Sequence, residues 1–284
     1  PDPRPRMTPV AEAPSAANAA PANTAPAQAA PEPQPATAAP RITLDMLRNA
    51  GFVAIGPANS RSRVTEELSV VQHQVRRTVQ ATEAVPGRLP RLVLVTSAKP
   101  GEGKTFCSVN VAARLAIGSP DQVVLVDGDG KQMGSLTHLL GQDDTPGLRL
   151  LSLDHAQRPE SLLLKTDIDR LSFLPYGPPK PGVQDLPSGA MLADAVARLS
   201  AALPNRIIIF DAPPCLYTSE PTALASVAGQ VLLVVRAEST QRDEVEAALD
   251  MVEACPNLQL VLNQTQRVSS NTFGAYGYYG YYNG

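Results

Sequence analysis

From Leu92 onward the apolar and polar positions fall into two kinds of block that alternate along the chain. Short runs at Leu92–Thr96, Val123–Asp127, Leu171–Pro175, Ile207–Asp211, Val231–Val235 and Gln259–Asn263 are mostly apolar. Several are apolar almost throughout, the pattern of strands buried on both faces of a parallel sheet. Between them, Thr105–Ala116, Ala190–Ala202, Thr222–Val227 and Arg242–Ala254 fit helices. This alternation predicts an α/β fold with a doubly wound, mainly parallel sheet. Upstream, Arg41–Ala50 predicts a short amphipathic helix stopped by Gly51. Ser60–Thr78 predicts a longer one, with Val64, Leu68, Val71 and Val75 on one face. Pro86, Gly87 and Pro90 are the expected end of that helix.

Composition separates the two ends from this pattern. Residues 1–40 are mostly Pro and Ala, which bury too little apolar surface to offset ordering entropy, and they are expected to form a disordered, partly extended tether. The last residues, from Asn271, read NTFGAYGYYGYYNG. The expected organisation is a disordered segment over 1–40, a helical region over 41–90, an α/β domain over 91–265 and a flexible Tyr-rich tail over 266–284. The formal net charge of −3 is scattered, with no basic block to mark a nucleic-acid or lipid surface. No apolar run approaches the ~18 residues of a membrane span, and the Pro-rich start lacks the apolar centre of a signal peptide. Cys107, Cys215 and Cys255 suit neither a disulfide framework nor a zinc site and read as reduced thiols of a cytosolic protein. His73, His138 and His155 stand alone and read as surface or packing residues.

The first strand runs into Ser97-Ala98-Lys99-Pro100-Gly101-Glu102-Gly103-Lys104-Thr105, then Phe106. This is a P-loop with Ala98 in place of its first glycine. Gly101 and Gly103 let the backbone curl so that its amides face phosphate oxygens. The helix that follows adds its positive end. Lys104 is expected on the β- and γ-phosphates of ATP and Thr105 on Mg²⁺. Glu102 reads as solvent-facing. Lys99 reads either as a surface charge or as a lysine extended across a dimer interface to a neighbour's nucleotide.

Two further strands end in aspartate. One delivers Asp127 and then Asp129, and the other delivers Asp211. The carboxyl ends of parallel strands share one edge, so the three carboxylates are expected near the metal held by Thr105. In the tail, Tyr276, Tyr278, Tyr279, Tyr281 and Tyr282 are interleaved with Gly and Asn and cannot form a core. They read as a sticky low-complexity end, as stacking groups for nucleic acid without the basic residues that role needs, or as exposed phosphoryl acceptors.

Together, SAKPGEGKT, VLVDGD, IIIFDAPP and the terminal tyrosines resemble the bacterial tyrosine kinase family. More narrowly, they resemble the tyrosine autokinases of exopolysaccharide loci linked to the exosortase system. The resemblance implies ATP- and Mg²⁺-dependent phosphorylation of tyrosine, with the tail tyrosines as acceptors and exopolysaccharide synthesis or export under control. It implies nucleotide contacts from Lys99 through Phe106 and metal contacts from Thr105, Asp129 and Asp211. Lys104, Asp127 and Asp129 become the catalytic set, with Asp127 orienting or deprotonating the attacking hydroxyl. It also implies a homo-oligomer and a membrane chain-length determinant protein as activator, which would bring a cytoplasmic chain to the inner face of the membrane. Relatives usually carry Ala where this chain has Gly128, an Arg–Pro pattern near Gly130-Lys131-Gln132-Met133, and basic residues at Ser69 and His73. A partition- or positioning-type ATPase, or a nucleotide-binding scaffold without kinase activity, are the competing expectations.

Overall fold

The structure is a computed structural model and describes residues 41–53, 62–131, 133–179 and 186–265. The first 40 residues and the tyrosine tail therefore lie outside the described residues.

Eight strands form one sheet. They are β1 (Arg41–Ile42), β2 (Leu89–Ser97), β3 (Gln122–Asp127), β4 (Leu164–Thr166), β5 (Leu171–Leu174), β6 (Arg206–Asp211), β7 (Ala228–Arg236) and β8 (Leu258–Asn263). Their order is β1-β4-β5-β3-β6-β2-β7-β8, parallel throughout except for the β4–β5 pair. The six strands expected from the apolar runs are all present. The two additional ones are too short to show as runs. Arg41–Ile42, expected within the first helix, are extended because they pair with Lys165–Thr166, and the helix α1 (Leu44–Asn49) starts only after the Thr43 cap.

Pro90 also departs from expectation, lying inside β2 rather than closing the preceding helix. It sits at the start of the strand, where the β2–β7 register shifts, and a missing donor is tolerated there. The long helix α2 (Arg63–Ala81) carries Leu68, Val75 and Val79 as its buried stripe, with Ser62 as its cap.

Helices cover both faces. On one, α2 and α3 (Lys104–Gly118) pack over Val93, Val95, Val123, Leu125, Ile207 and Ile209. On the other, α5 (Leu148–Leu153), α6 (Gly189–Ala202), α7 (Glu220–Val227) and α8 (Arg242–Val252) enclose Leu92, Leu94, Val124, Val126, Ile208 and Phe210. The short α4 (Leu136–Leu139) follows β3. The alternation along each strand sends consecutive residues to opposite cores. That explains why β2, β3 and β6 are apolar at nearly every position. All three cysteines are buried and free.

Candidate active site

The P-loop joins β2 to α3. Gly103 caps α3 with φ of 94°, and Gly101 has φ of 83°, a region where side-chain-bearing residues are strained. At Gly103 space is decisive as well, because a Cβ there would lie 2.0 Å from Nδ2 of Asn263. Asn263 donates to the Glu102 carbonyl at 2.9 Å, and Gln264 donates to the Gly101 carbonyl at 3.1 Å. In a planar trans peptide the following N–H points opposite to the carbonyl. Fixing those two carbonyls outward therefore turns the amides of Glu102 and Gly103 toward the inner side of the loop. No side chain caps the first turn of α3, so its amides are also available to an anion.

Glu102 does not face solvent. The residue is 2% exposed, and its carboxylate accepts the Lys99 amide at 2.8 Å and the Thr240 hydroxyl. Burial is affordable here because the carboxylate closes the loop on itself and ties it to the turn before α8. Lys99 points the same way, with its ammonium 2.7 Å from Glu244 at the start of α8. That carboxylate raises the Lys99 pKa and is itself held below the usual range by Lys99. Pro100 is exposed, and Phe106 lies in the first turn of α3, half-buried beside a groove of about 450 Å³. Arg63, Leu68 and Val71 of α2 and Leu262 and Asn263 of β8 line the same groove.

β3 and β6 pair with Asp127 directly beside Asp211, so both carboxylates reach the edge that carries the loop. Lys104 Nζ stands 2.8 Å from Asp129 and 3.9 Å from Asp211, and the Lys131 ammonium reaches Asp129 at 2.9 Å. Burial works to lower the Lys104 pKa, but Asp211, Asp129 and Asp127 outweigh it and the net shift is upward. Asp129 is also buried, yet its two lysines hold its pKa below the usual carboxylate range. Asp211 accepts from Thr105 Oγ1 at 2.8 Å and from Ser108 Oγ at 3.0 Å. Complete burial nonetheless pushes its pKa up. Asp127 is fully buried and shifted to about 6, first by desolvation and then by Asp211. Its Oδ2 accepts both the amide and hydroxyl of Thr137 at 2.7 Å, and its Oδ1 accepts the Asp129 amide at 3.1 Å.

The structure thus brings Lys104, Thr105, Asp127, Asp129 and Asp211 into one cluster. It directs the side chains of Lys99 and Glu102 away from it. Among the described residues no group of three His, Cys, Asp or Glu is spaced to hold a metal by itself. The Thr105 hydroxyl and Asp211 carboxylate form a hard, two-oxygen set that fits Mg²⁺, an ion that keeps several waters and takes its remaining ligands from substrate phosphates. Sequence reasoning did not single out Ser108, Thr137, Asn263 or Gln264 as site residues. Ser108 lies one helical turn beyond Lys104, Thr137 lies ten residues beyond Asp127, and Asn263-Gln264 closes the last apolar run.

No protein-family model matches the chain. It is 27% identical over 217 residues to the tyrosine-protein kinase YwqD of Bacillus subtilis, covering 75% of this chain and 90% of that protein. It is 26% identical over 226 residues to the tyrosine-protein kinase CpsD of Streptococcus agalactiae, covering 77% and 93%. The chain resembles bacterial tyrosine-protein kinases. The similarity extends to EpsB of Ralstonia solanacearum, described as a putative tyrosine-protein kinase, at 31% over 165 residues; this covers 57% of the chain but 21% of EpsB. Among solved structures, the chimerical protein CapA2B2 matches with a TM-score of 0.59 at 23% identity, over 81% of this chain and 96% of that one. The kinase domain of the Escherichia coli tyrosine kinase ETK matches at 0.57 and 20% identity, over 77% and 84%. At those identities the structural matches establish the fold, in agreement with the expected doubly wound sheet.

Proposed function

We propose that this chain is an ATP-dependent protein-tyrosine autokinase. The observation that carries the reading is the placement of the Lys104 ammonium among Asp129, Asp211 and the Thr105–Asp211 pair, at the mouth of a loop whose amides face inward. The named activity of its relatives points the same way.

In this reading the loop amides, the first turn of α3 and Lys104 bind the phosphates, and the groove beside Phe106 takes the base. Thr105 and Asp211 would hold Mg²⁺, with Asp129 as a further oxygen donor beside them. When bound, the ion would neutralise charge on the phosphates. Lys104 has to leave Asp129 to engage phosphate, and Lys131 keeps that carboxylate paired when it does. Asp127 orients the phenol. A carboxylate offers about four lone-pair sites; three are taken by Thr137 and the Asp129 amide, which leaves one on Oδ1. Its pKa of about 6 suits a group that accepts a proton near neutrality. Positioning and charge carry the transfer, since a metaphosphate-like transition state needs little covalent help.

The acceptors are Tyr276, Tyr278, Tyr279, Tyr281 and Tyr282, presented to a neighbouring copy in a homo-oligomer. Each phosphate adds about −1.5 to −2 charges, so phosphorylated tails leave the acidic site and the assembly loosens. No helix among the described residues is long and apolar enough to cross a membrane. We assign recruitment to the inner membrane face to a membrane chain-length determinant protein, and the regulated process to exopolysaccharide synthesis or export. Coexpression with such a partner should raise autophosphorylation and move the chain to the membrane fraction.

The deciding experiment incubates purified chain with ATP and Mg²⁺ and maps phosphotyrosine by mass spectrometry. Tail phosphotyrosine is expected, and its loss in Lys104→Met. ATP hydrolysis without phosphotyrosine would replace this reading with a positioning-type ATPase. Binding without either would leave a scaffold.

A further inference from the structure

Five of the seven tyrosines lie between positions 276 and 282, and the other two are Tyr176 and Tyr217. They differ sharply in access. Tyr176 is 7% exposed, and burial raises its pKa to about 12. Tyr217 is 64% exposed.

Tyr217 stands on the turn that follows Asp211, and that turn is fastened to the strand leading into the P-loop. Thr96 Oγ1 donates to the Pro213 carbonyl at 2.7 Å, and the Cys215 amide donates to the Ser97 carbonyl at 2.9 Å. The Tyr217 amide closes the turn on the Pro214 carbonyl at 3.1 Å. The backbone that carries this side chain is therefore fastened to β2, while the ring itself reaches solvent. Lys99, two residues beyond Ser97, lies close enough to interact electrostatically with Tyr217 and is also paired with Glu244 at 2.7 Å.

We propose that Tyr217 is a second phosphoryl acceptor, on the folded body rather than the tail, and that it is modified by the active site of another copy of this chain. The proposal rests on the kinase reading above. In the step, the phenolic oxygen bonds to the γ-phosphorus. The bond from that phosphorus to the oxygen bridging to the β-phosphorus breaks, and ADP leaves with the electron pair. The phenolic proton passes to a carboxylate of the acting site or to water. The bonds to Thr96 and Ser97 fix the turn against its own strand, and the transfer is accordingly placed between copies. A pre-set acceptor also loses little conformational entropy on docking. The product is a near-dianion beside Lys99, where it competes with the singly charged Glu244 for the ammonium.

Trypsin separates the candidates. Tyr217 falls in the peptide spanning 207–236, the tail in 268–284, and Tyr176 in a third peptide that begins at Leu171. The full-length chain is incubated with ATP and Mg²⁺, alongside a variant with the five tail tyrosines changed to Phe. Phosphate on the 207–236 peptide is expected in both, and Tyr217→Phe in the five-Phe background should remove the remaining label. A Lys104→Met five-Phe chain mixed with active Tyr217→Phe chain should acquire label at Tyr217, which establishes transfer between copies. Tail label in the unaltered chain with none at Tyr217 in either protein would overturn the proposal and leave the kinase reading standing. Residual label on the peptide carrying Tyr176 instead would overturn it equally. No label on any tyrosine of the unaltered chain would overturn the kinase reading, and the Tyr217 assignment with it.

Discussion

A Cβ placed at Gly128 would lie 2.0 Å from Cε1 of Phe210, inside the ring that packs at the carboxyl end of β6. Gly128, between the two aspartates, is thus matched by an aromatic on the neighbouring strand. The same arrangement recurs at Gly130, where a Cβ would meet Tyr176 Cζ at 2.6 Å. Phe210 is fully buried and cannot swing away cheaply. Gly128→Ala is therefore expected to destabilise by about 1–3 kcal/mol through overpacking. Adding Phe210→Leu should restore part of that loss, a non-additive result readable in denaturant melts. Additive losses would show that the ring is not what excludes a side chain at 128.

Lys104→Met should cut tyrosine phosphorylation by at least about 100-fold, since a charge acting on the transferring phosphoryl is removed. The variant should remain folded. Asp211, whose pKa burial already raises, can protonate when its cation is lost, and Lys131 still pairs Asp129. Circular dichroism and a kinase assay on one preparation test both halves.

Asp127 should make the chain less stable as pH rises through the mildly acidic range. Its pKa is raised from 3.8 to about 6, so between those values the native state holds a proton that the unfolded chain has released. Stability therefore falls with rising pH across that window, by on the order of 2–3 kcal/mol. Nucleotide-free melts of wild type and Asp127→Asn, compared across the window, isolate the contribution. The wild-type curve should fall relative to the variant, and parallel curves would count against the shift.

Gln230 offers a stabilising substitution. Its side chain is fully buried on β7, and neither its Oε1 nor its Nε2 has a hydrogen-bond partner. Strand alternation points it to the same face as Leu232 and Val234, which belong to the core under α2 and α3. An unsatisfied buried amide costs about 1–3 kcal/mol. Gln230→Leu is expected to raise the unfolding free energy by a comparable amount, seen as a higher midpoint, and a lowered midpoint would mean the amide is satisfied in solution.

The sequence by itself determined the sheet and the loop. Apolar runs at β2, β3, β6 and β7 leave no position free for water, so only a strand covered on both faces accommodates them. The spacing of Gly101, Gly103, Lys104 and Thr105 is local chemistry that needs no distant partner to be read. The ends of β3 and β6 bring Asp127 and Asp211 to the same edge for the same reason, since parallel strands share a polarity. Tertiary structure alone decided what depends on residues far apart in the chain. Nothing local tells that Glu102 turns inward, because its partner Thr240 lies 138 positions away. Lys99 meets Glu244 across a separation of 145. The hold of Thr137 on Asp127, of Asn263 and Gln264 on the loop carbonyls, and of Phe210 on Gly128 arises only once β3, β6, β2 and β8 lie in their final order. Short elements such as Arg41–Ile42 follow the same rule: two residues carry no periodicity, and pairing with β4 is what makes them a strand.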